Sequence, residues 1–232
     1  MIKKMIIRIL TAGAVAALLL FATACSLHKS LDVIGNGSVT AFGAVLDAVG
    51  DQIKTDEGNG GWALFAPDGT ARFIWSGDWS KSPVYDAMIA FDAAPFLAAG
   101  LDPDQLPADY IYAEGTLTVG TKLGEDALQY DGGAPAPLAA YEQIVNLSRG
   151  SISYHMALDH YGVALGGGNM FEWAKDLGAN DKDIVFVLDP EPLIAAGVDP
   201  QKVEGWVFEK VEAHADGKTI EVDRFLKPFD LT

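Results

Sequence analysis

Residues 92–103 read Asp-Ala-Ala-Pro-Phe-Leu-Ala-Ala-Gly-Leu-Asp-Pro, and residues 189–200 read Asp-Pro-Glu-Pro-Leu-Ile-Ala-Ala-Gly-Val-Asp-Pro. Seven of these twelve positions are identical, and three more exchange one apolar residue for another. The match extends without a gap from Asp86–Leu106 onto Asp183–Val203, an offset of 97 residues. Upstream, Phe73, Trp75 and Asp78 correspond to Phe171, Trp173 and Asp176 at an offset of 98. Further back, Ala63-Leu64 resembles Ala157-Leu158. Val39, Phe42, Val45, Leu46 and Val49 are spaced for one helix face, and Leu138, Tyr141, Ile144 and Val145 repeat that face at an offset of 99. Order and spacing kept through four elements read as a tandem duplication.

The repeating unit is legible from its punctuation. A helix over 39–53 or 137–147 opens on Ser38 as a cap or on Pro137 in the first turn. A strand follows at 62–66 or 154–159, and the first copy turns on Pro67-Asp68-Gly69. Phe73 and Trp75 alternate on one face of the next strand. Residues 87–91 and 184–188 are nearly all apolar, as suits a central strand covered on both faces. A short helix then runs from Asp92 to Gly100, or from Asp189 to Gly197, between an Asp cap and a Gly stop. Asp102-Pro103 and Asp199-Pro200 start another helical turn. Strand pairs close each copy, over 110–118 and 206–225, the second turning on Asp216-Gly217. The expected fold is α+β: two α-β-β-β-α-β(β) units in a pseudo-twofold arrangement. The first spans residues 38–130 and the second 131–232, joined by the Gly-, Pro- and Ala-rich stretch 124–136.

The N-terminus carries an address. Lys3, Lys4 and Arg8 precede an uncharged apolar run, Ile9–Ala24, of 16 residues. That is shorter than the roughly 20 residues that span a bilayer. A charged start, an apolar run and small residues at its end are the parts of an export signal. Cys25, the only cysteine, comes next. Thr23-Ala24-Cys25 resembles the bacterial lipobox, with Ala22 where that pattern usually has Leu. The resemblance implies that residues 1–24 are a lipoprotein signal peptide and that Cys25 takes a diacylglyceryl group and fatty acyl chains such as palmitate. Residues 25–37 are then a lipid-anchored tether. Ser26, not Asp, favours the outer membrane in a diderm cell by the same resemblance. Ordinary secretory cleavage after Ala24 is the alternative. Either way the location is extracytoplasmic, in the cell envelope.

The export segment holds three of the 16 basic residues and none of the 32 acidic ones, so 13 basic residues face 32 acidic ones downstream and the net charge there is −19. An acidic protein of this kind repels nucleic acid and anionic headgroups, so no nucleic-acid partner is expected, and the membrane is met through the lipid. With one cysteine, packing and not disulfides must hold the fold together.

Three clusters bear on chemistry. Trp62, Trp75, Asp78, Trp79 and Tyr85, with Trp173 and Asp176 in the second copy, set aromatic faces beside carboxylates. Such a surface stacks on sugars or holds cations; the alternative is core packing between sheet and helix. His155, Asp159 and His160 offer weak metal-ligand chemistry, or a polar strand end. Asn180-Asp181-Lys182-Asp183 lacks calcium-loop spacing and reads as a solvated turn. There is no Gly-x-Ser-x-Gly elbow, no phosphate loop and no catalytic cysteine, and no cofactor or catalytic residue is assigned. The leading expectation is a non-catalytic ligand-binding or envelope-assembly module, with a glycan, small-molecule or envelope-protein partner. The alternatives are a carbohydrate-active hydrolase using carboxylates and a purely structural envelope protein.

Overall fold

A computed structural model describes residues 33–124, 135–179, 182–215 and 218–232. The export segment, Cys25, the centre of the joining stretch, Asn180, Asp181 and the Asp216-Gly217 turn lie outside the described residues.

Helix α1 covers residues 33–49, and positions 35, 38, 41, 42, 45, 46 and 49 form its buried stripe. By length and apolarity Val33–Gln52 would suit a bilayer, but this stripe makes it a core helix. It starts earlier than the sequence suggests. Ser38 is not a cap; its fully buried hydroxyl lies inside the helix and donates to the Gly35 carbonyl at 2.7 Å. Residues 33–37 are therefore part of the packed body and not tether. The cause is close approach. A Cβ on Gly35 would lie 2.7 Å from Val145 Cγ1, and one on Gly37 would lie 2.2 Å from the Tyr161 hydroxyl. Glycines that read as loop are what let the helix settle here.

The chain then forms β1 (Ile53–Asp56), β2 (Gly61–Phe65), β3 (Ala71–Ser76), β4 (Ala87–Asp92), α2 (Ala94–Ala98), β5 (Tyr110–Ala113) and β6 (Thr116–Thr121). Next come α3 (Pro137–Leu147), β7 (Ile152–His155), β8 (His160–Ala164), β9 (Met170–Ala174), β10 (Ile184–Leu188), α4 (Pro190–Ala195), β11 (Val207–Ala215) and β12 (Lys218–Phe229). The fold is mixed α+β with two six-stranded antiparallel sheets. The first has the order β1-β2-β3-β4-β6-β5, and the second β7-β8-β9-β10-β12-β11, which is the same order. Each sheet holds one strand more before its helix than the sequence unit allows. The expected single strand 154–159 is instead the tip of the β7–β8 hairpin, because the chain reverses through residues 156–159 and Asp159 adopts a left-handed φ of 54°.

The inner faces of both sheets enclose one core. Phe73 of β3 stacks on Phe171 of β9, with ring centroids 4.5 Å apart and planes 6° from parallel. Around them Phe42 of α1 meets Tyr141 of α3 at 4.5 Å and Trp173 at 5.1 Å, and Tyr141 meets Trp173 at 5.5 Å. Such pairs add about 0.5–1.5 kcal/mol each beyond area burial.

A second junction is reciprocal. The Asp102 amide donates to the Ala196 carbonyl at 2.8 Å, and the Asp199 amide donates to the Ala99 carbonyl at 2.9 Å. Gly100 and Gly197, with φ of 106° and 100°, face each other there. A Cβ on either would lie 2.8 or 2.7 Å from the other's carbonyl oxygen. The block of sequence shared most closely by the two halves is thus where they touch.

Candidate functional site

The repeated Phe-x-Trp-x-x-Asp is structural. Trp75 and Trp173 are fully buried and Trp79 is 2 % exposed, so none offers a ring face to a ligand. The Trp75 indole donates to the Pro137 carbonyl at 3.0 Å, and the half-buried Trp62 donates to the Pro135 carbonyl at 2.6 Å, tying the first sheet to the start of α3. Asp78 is buried, accepts from the Ser80 amide at 3.2 Å and lies 3.4 Å from the Lys81 ammonium. Asp176 is exposed, 3.9 Å from the Lys175 ammonium. Tyr85 packs on the outer face of the first sheet and donates to the Asp109 carbonyl at 2.8 Å. Trp75, Trp79 and Trp173 are thus core residues, while Trp62 and Tyr85 are half-buried. Asp183, read from the sequence as part of a solvated turn, is fully buried and accepts from the Gly178 amide at 2.7 Å and the Leu231 amide at 2.8 Å.

The outer face of the second sheet is different. His155 and His160 pair across the β7–β8 hairpin, and so share one face. Both turn to Glu172, the outward residue between Phe171 and Trp173. His155 Nδ1 lies 3.2 Å from Glu172 Oε1, His160 Nδ1 lies 3.8 Å from Oε2, and an Arg224 nitrogen lies 3.8 Å from Oε1. These are close polar contacts without hydrogen-bond alignment, of which the Arg224 contact is an ion pair. Glu172 and His160 are each 2 % exposed, and Glu172 Oε1 and His160 Nδ1 are buried with no hydrogen-bond partner among the described residues. Burial pushes the Glu172 carboxyl up, but the two histidines and Arg224 outweigh it and hold the group at about 2.

Asp159 does not join the cluster; it accepts from the Tyr154 hydroxyl and lies 3.8 Å from the Lys175 ammonium. Among the described residues no group of three or more His, Cys, Asp or Glu side chains is arranged to hold a metal ion. Asp159 thus takes its contacts from Tyr154 and Lys175, while His155 and His160 turn to Glu172.

Glu172 and His160 open onto a cavity of about 320 Å³. Arg224, Glu209, Lys182 and Asp159 supply the rest of its polar lining. Val185, Val211, Leu226 and Leu158 supply its apolar wall. The β11–β12 ribbon, much longer than the β5–β6 pair of the first sheet, contributes Glu209, Val211 and Arg224.

The first sheet shows what the same place looks like without this cluster. Glu172 pairs with Gly162 and Val185; in the same strand position of the first sheet Ile74 pairs with Ala63 and Met88. Ala63, Ile74, Met88 and Ala90 form a small dry cluster there. Where His155 faces His160, the first sheet has Asp56 facing Gly61. Thr116 precedes Leu117, the partner of Phe91, as Arg224 precedes Phe225, the partner of Leu188. Sequence reasoning passed over Glu172 and Arg224, although the exchange of Phe-Ile-Trp for Phe-Glu-Trp between the repeats was the available signal.

No protein-family model, no curated protein and no solved structure matches this chain.

Proposed function

We propose that this is an exported lipoprotein, held on a bacterial membrane through acyl chains on Cys25, whose body is a non-catalytic binding module made by tandem duplication of one α+β unit about a pseudo-twofold axis. The bound partner is a small molecule, seated on the outer face of the second sheet. Support for the duplication comes from the shared strand order, the Phe73–Phe171 stack and the reciprocal Gly100–Gly197 junction.

The observation that carries the binding reading is Glu172. A buried charge with incomplete hydrogen bonding costs free energy that an apolar residue would avoid. The first sheet has Ile74 at that place, so the architecture does not require a carboxylate there. Perturbed, partly unsatisfied groups at a cavity mark sites of recognition. A carboxyl held at about 2 is also a poor general acid or base at neutral pH, which favours charge recognition over hydrolysis.

Support for the anchor comes from the position of Cys25 after a charged start and an apolar run. Only seven residues, eight Cα-to-Cα steps, separate it from Val33, where the packed helix is already formed. Eight such steps reach at most about 28 Å, so the body rides close to the bilayer, its net negative charge opposing contact with anionic headgroups.

Two measurements test the reading. Mass spectrometry of the native protein is expected to find an N-terminal Cys25 carrying diacylglycerol and palmitate; an unmodified terminus, or one at another residue, removes the anchor. A thermal-shift screen of small molecules is expected to yield a ligand whose effect is lost in Glu172→Gln and kept in Ile74→Val. A ligand equally affected by both substitutions would refute the placement.

A further inference from the structure

The chemistry of the cavity narrows its occupant. Resting on the binding reading above, we infer that the second sheet's cavity takes a free aliphatic amino acid, or a dipeptide ending in one, with its ammonium on Glu172 and its carboxylate on Arg224. Glu172 lines the cavity, and its buried Oε1, with His155 Nδ1 at 3.2 Å and Arg224 at 3.8 Å, makes no aligned hydrogen bond among the described residues. The group that satisfies it is an N–H donor, best a charged one. A simple anion is disfavoured, because Glu172, Glu209 and Asp159 all line the same space.

A purely cationic ligand leaves the other half of the site unused. Arg224 is 22 % exposed at its side chain, and its one ion pair among the described residues is the loose 3.8 Å contact to Glu172 Oε1. A ligand carboxylate beside it meets a fork of donors, with Lys182 as a second cation on the cavity wall. Val185 and Leu226, both buried, line the same cavity and match an aliphatic side chain. At about 320 Å³ the space lies at the small end of ligand pockets, which suits one or two residues and not an oligosaccharide or a folded partner. His160, whose buried Nδ1 also has no hydrogen-bond partner among the described residues, lines the same cavity.

The test uses the purified protein and isothermal titration with four probes. L-leucine carries all three features, isoamylamine lacks the carboxylate, isocaproate lacks the amine, and glucose is neutral and polar. Leucine is expected to bind best, with isoamylamine and isocaproate each weaker by about tenfold or more, because each loses a charge-assisted contact. Glu172→Gln is expected to weaken leucine and isoamylamine by about tenfold and to leave isocaproate unweakened. Arg224→Gln, at a partly exposed position that the fold tolerates, is expected to weaken leucine and leave isoamylamine unchanged. Isocaproate binding as tightly as leucine, or leucine indifferent to both variants, overturns the assignment. Glucose binding that Glu172→Gln abolishes overturns the ligand class but leaves the site standing. No heat from any probe, with no amide shift at the cavity residues by NMR, overturns both.

Discussion

Replacing Gly100 or Gly197 with alanine tests the junction on which the two halves meet. Gly100 has φ of 106° and Gly197 has φ of 100°, conformations that a side chain strains at about 1–2 kcal/mol. The new Cβ of Gly100→Ala would lie 2.8 Å from the Gly197 carbonyl oxygen, where ordinary contact starts at 3.4 Å. The obstacle is backbone and cannot rotate away, so the two turns must part by roughly half an ångström. That movement loosens the two reciprocal amide–carbonyl bonds, at 2.8 and 2.9 Å, each worth about 1 kcal/mol. Each single substitution should therefore cost about 3–4 kcal/mol. Two further expectations separate this reasoning from a generic glycine effect. The two substitutions should cost nearly the same, because the contact is reciprocal. The double variant should cost about 4–6 kcal/mol and not the sum, because the first substitution has already parted the turns and the second adds mainly its own φ strain. Urea unfolding followed by tryptophan fluorescence reads all three values. A single variant within about 0.5 kcal/mol of the parent, or a strictly additive pair, would refute the account of the junction.

Trp79→Ala should destabilise by about 3–5 kcal/mol, the cost of emptying a buried indole site; a neutral result by calorimetry would return Trp79 to the surface. For Glu172 the sign follows from a carboxyl held at about 2 when folded against 4.5 unfolded. Its contribution, up to about 3 kcal/mol, is full above pH 4.5 and is lost as pH falls from 4.5 toward 2. Urea midpoints across that range should fall more steeply for the parent than for Glu172→Gln, and equal slopes would contradict the charge contacts. Asp183→Asn leaves one acceptor oxygen where two amides, of Gly178 and Leu231, now donate at 2.7 and 2.8 Å. It should cost about 1–3 kcal/mol and expose the C-terminal segment to carboxypeptidase; unchanged digestion would show that this carboxylate does not hold the terminus.

The sequence made the strand pattern and the helix stops legible because they are local. Residues 184–188 are apolar at every position and form the buried strand β10. Asp189 and Asp199 cap helical turns as their spacing with proline suggests. What it hid depends on contacts distant in sequence. Gly35 and Gly37 look like tether until Val145 and Tyr161 are placed against them. His155 and Asp159 share a face only if the chain runs straight, and the turn at 156–159 moves His160 into that role. The aromatic residues of Phe-x-Trp were read with an open choice between core and ligand surface, and only the second sheet packed across them decides it. The proposed site is legible only as a difference between the two sheets, Ile74 against Glu172, which register puts at one place in each.

That difference also confines the charged cluster to one sheet. The core between the sheets uses aromatic residues from both halves, so a change there disturbs both at once. The outer faces are independent of each other and of that core. A charged cluster placed inside would be desolvated at a cost that packing could not offset. On an outer face the cost is confined to one sheet, and Arg224 and His155 keep part of their hydration. The first sheet, with its dry outer cluster of Ala63, Ile74, Met88 and Ala90, retains the stable version of the same surface. Two sheets of one strand order therefore let one outer face stay apolar while the other carries the Glu172 cluster.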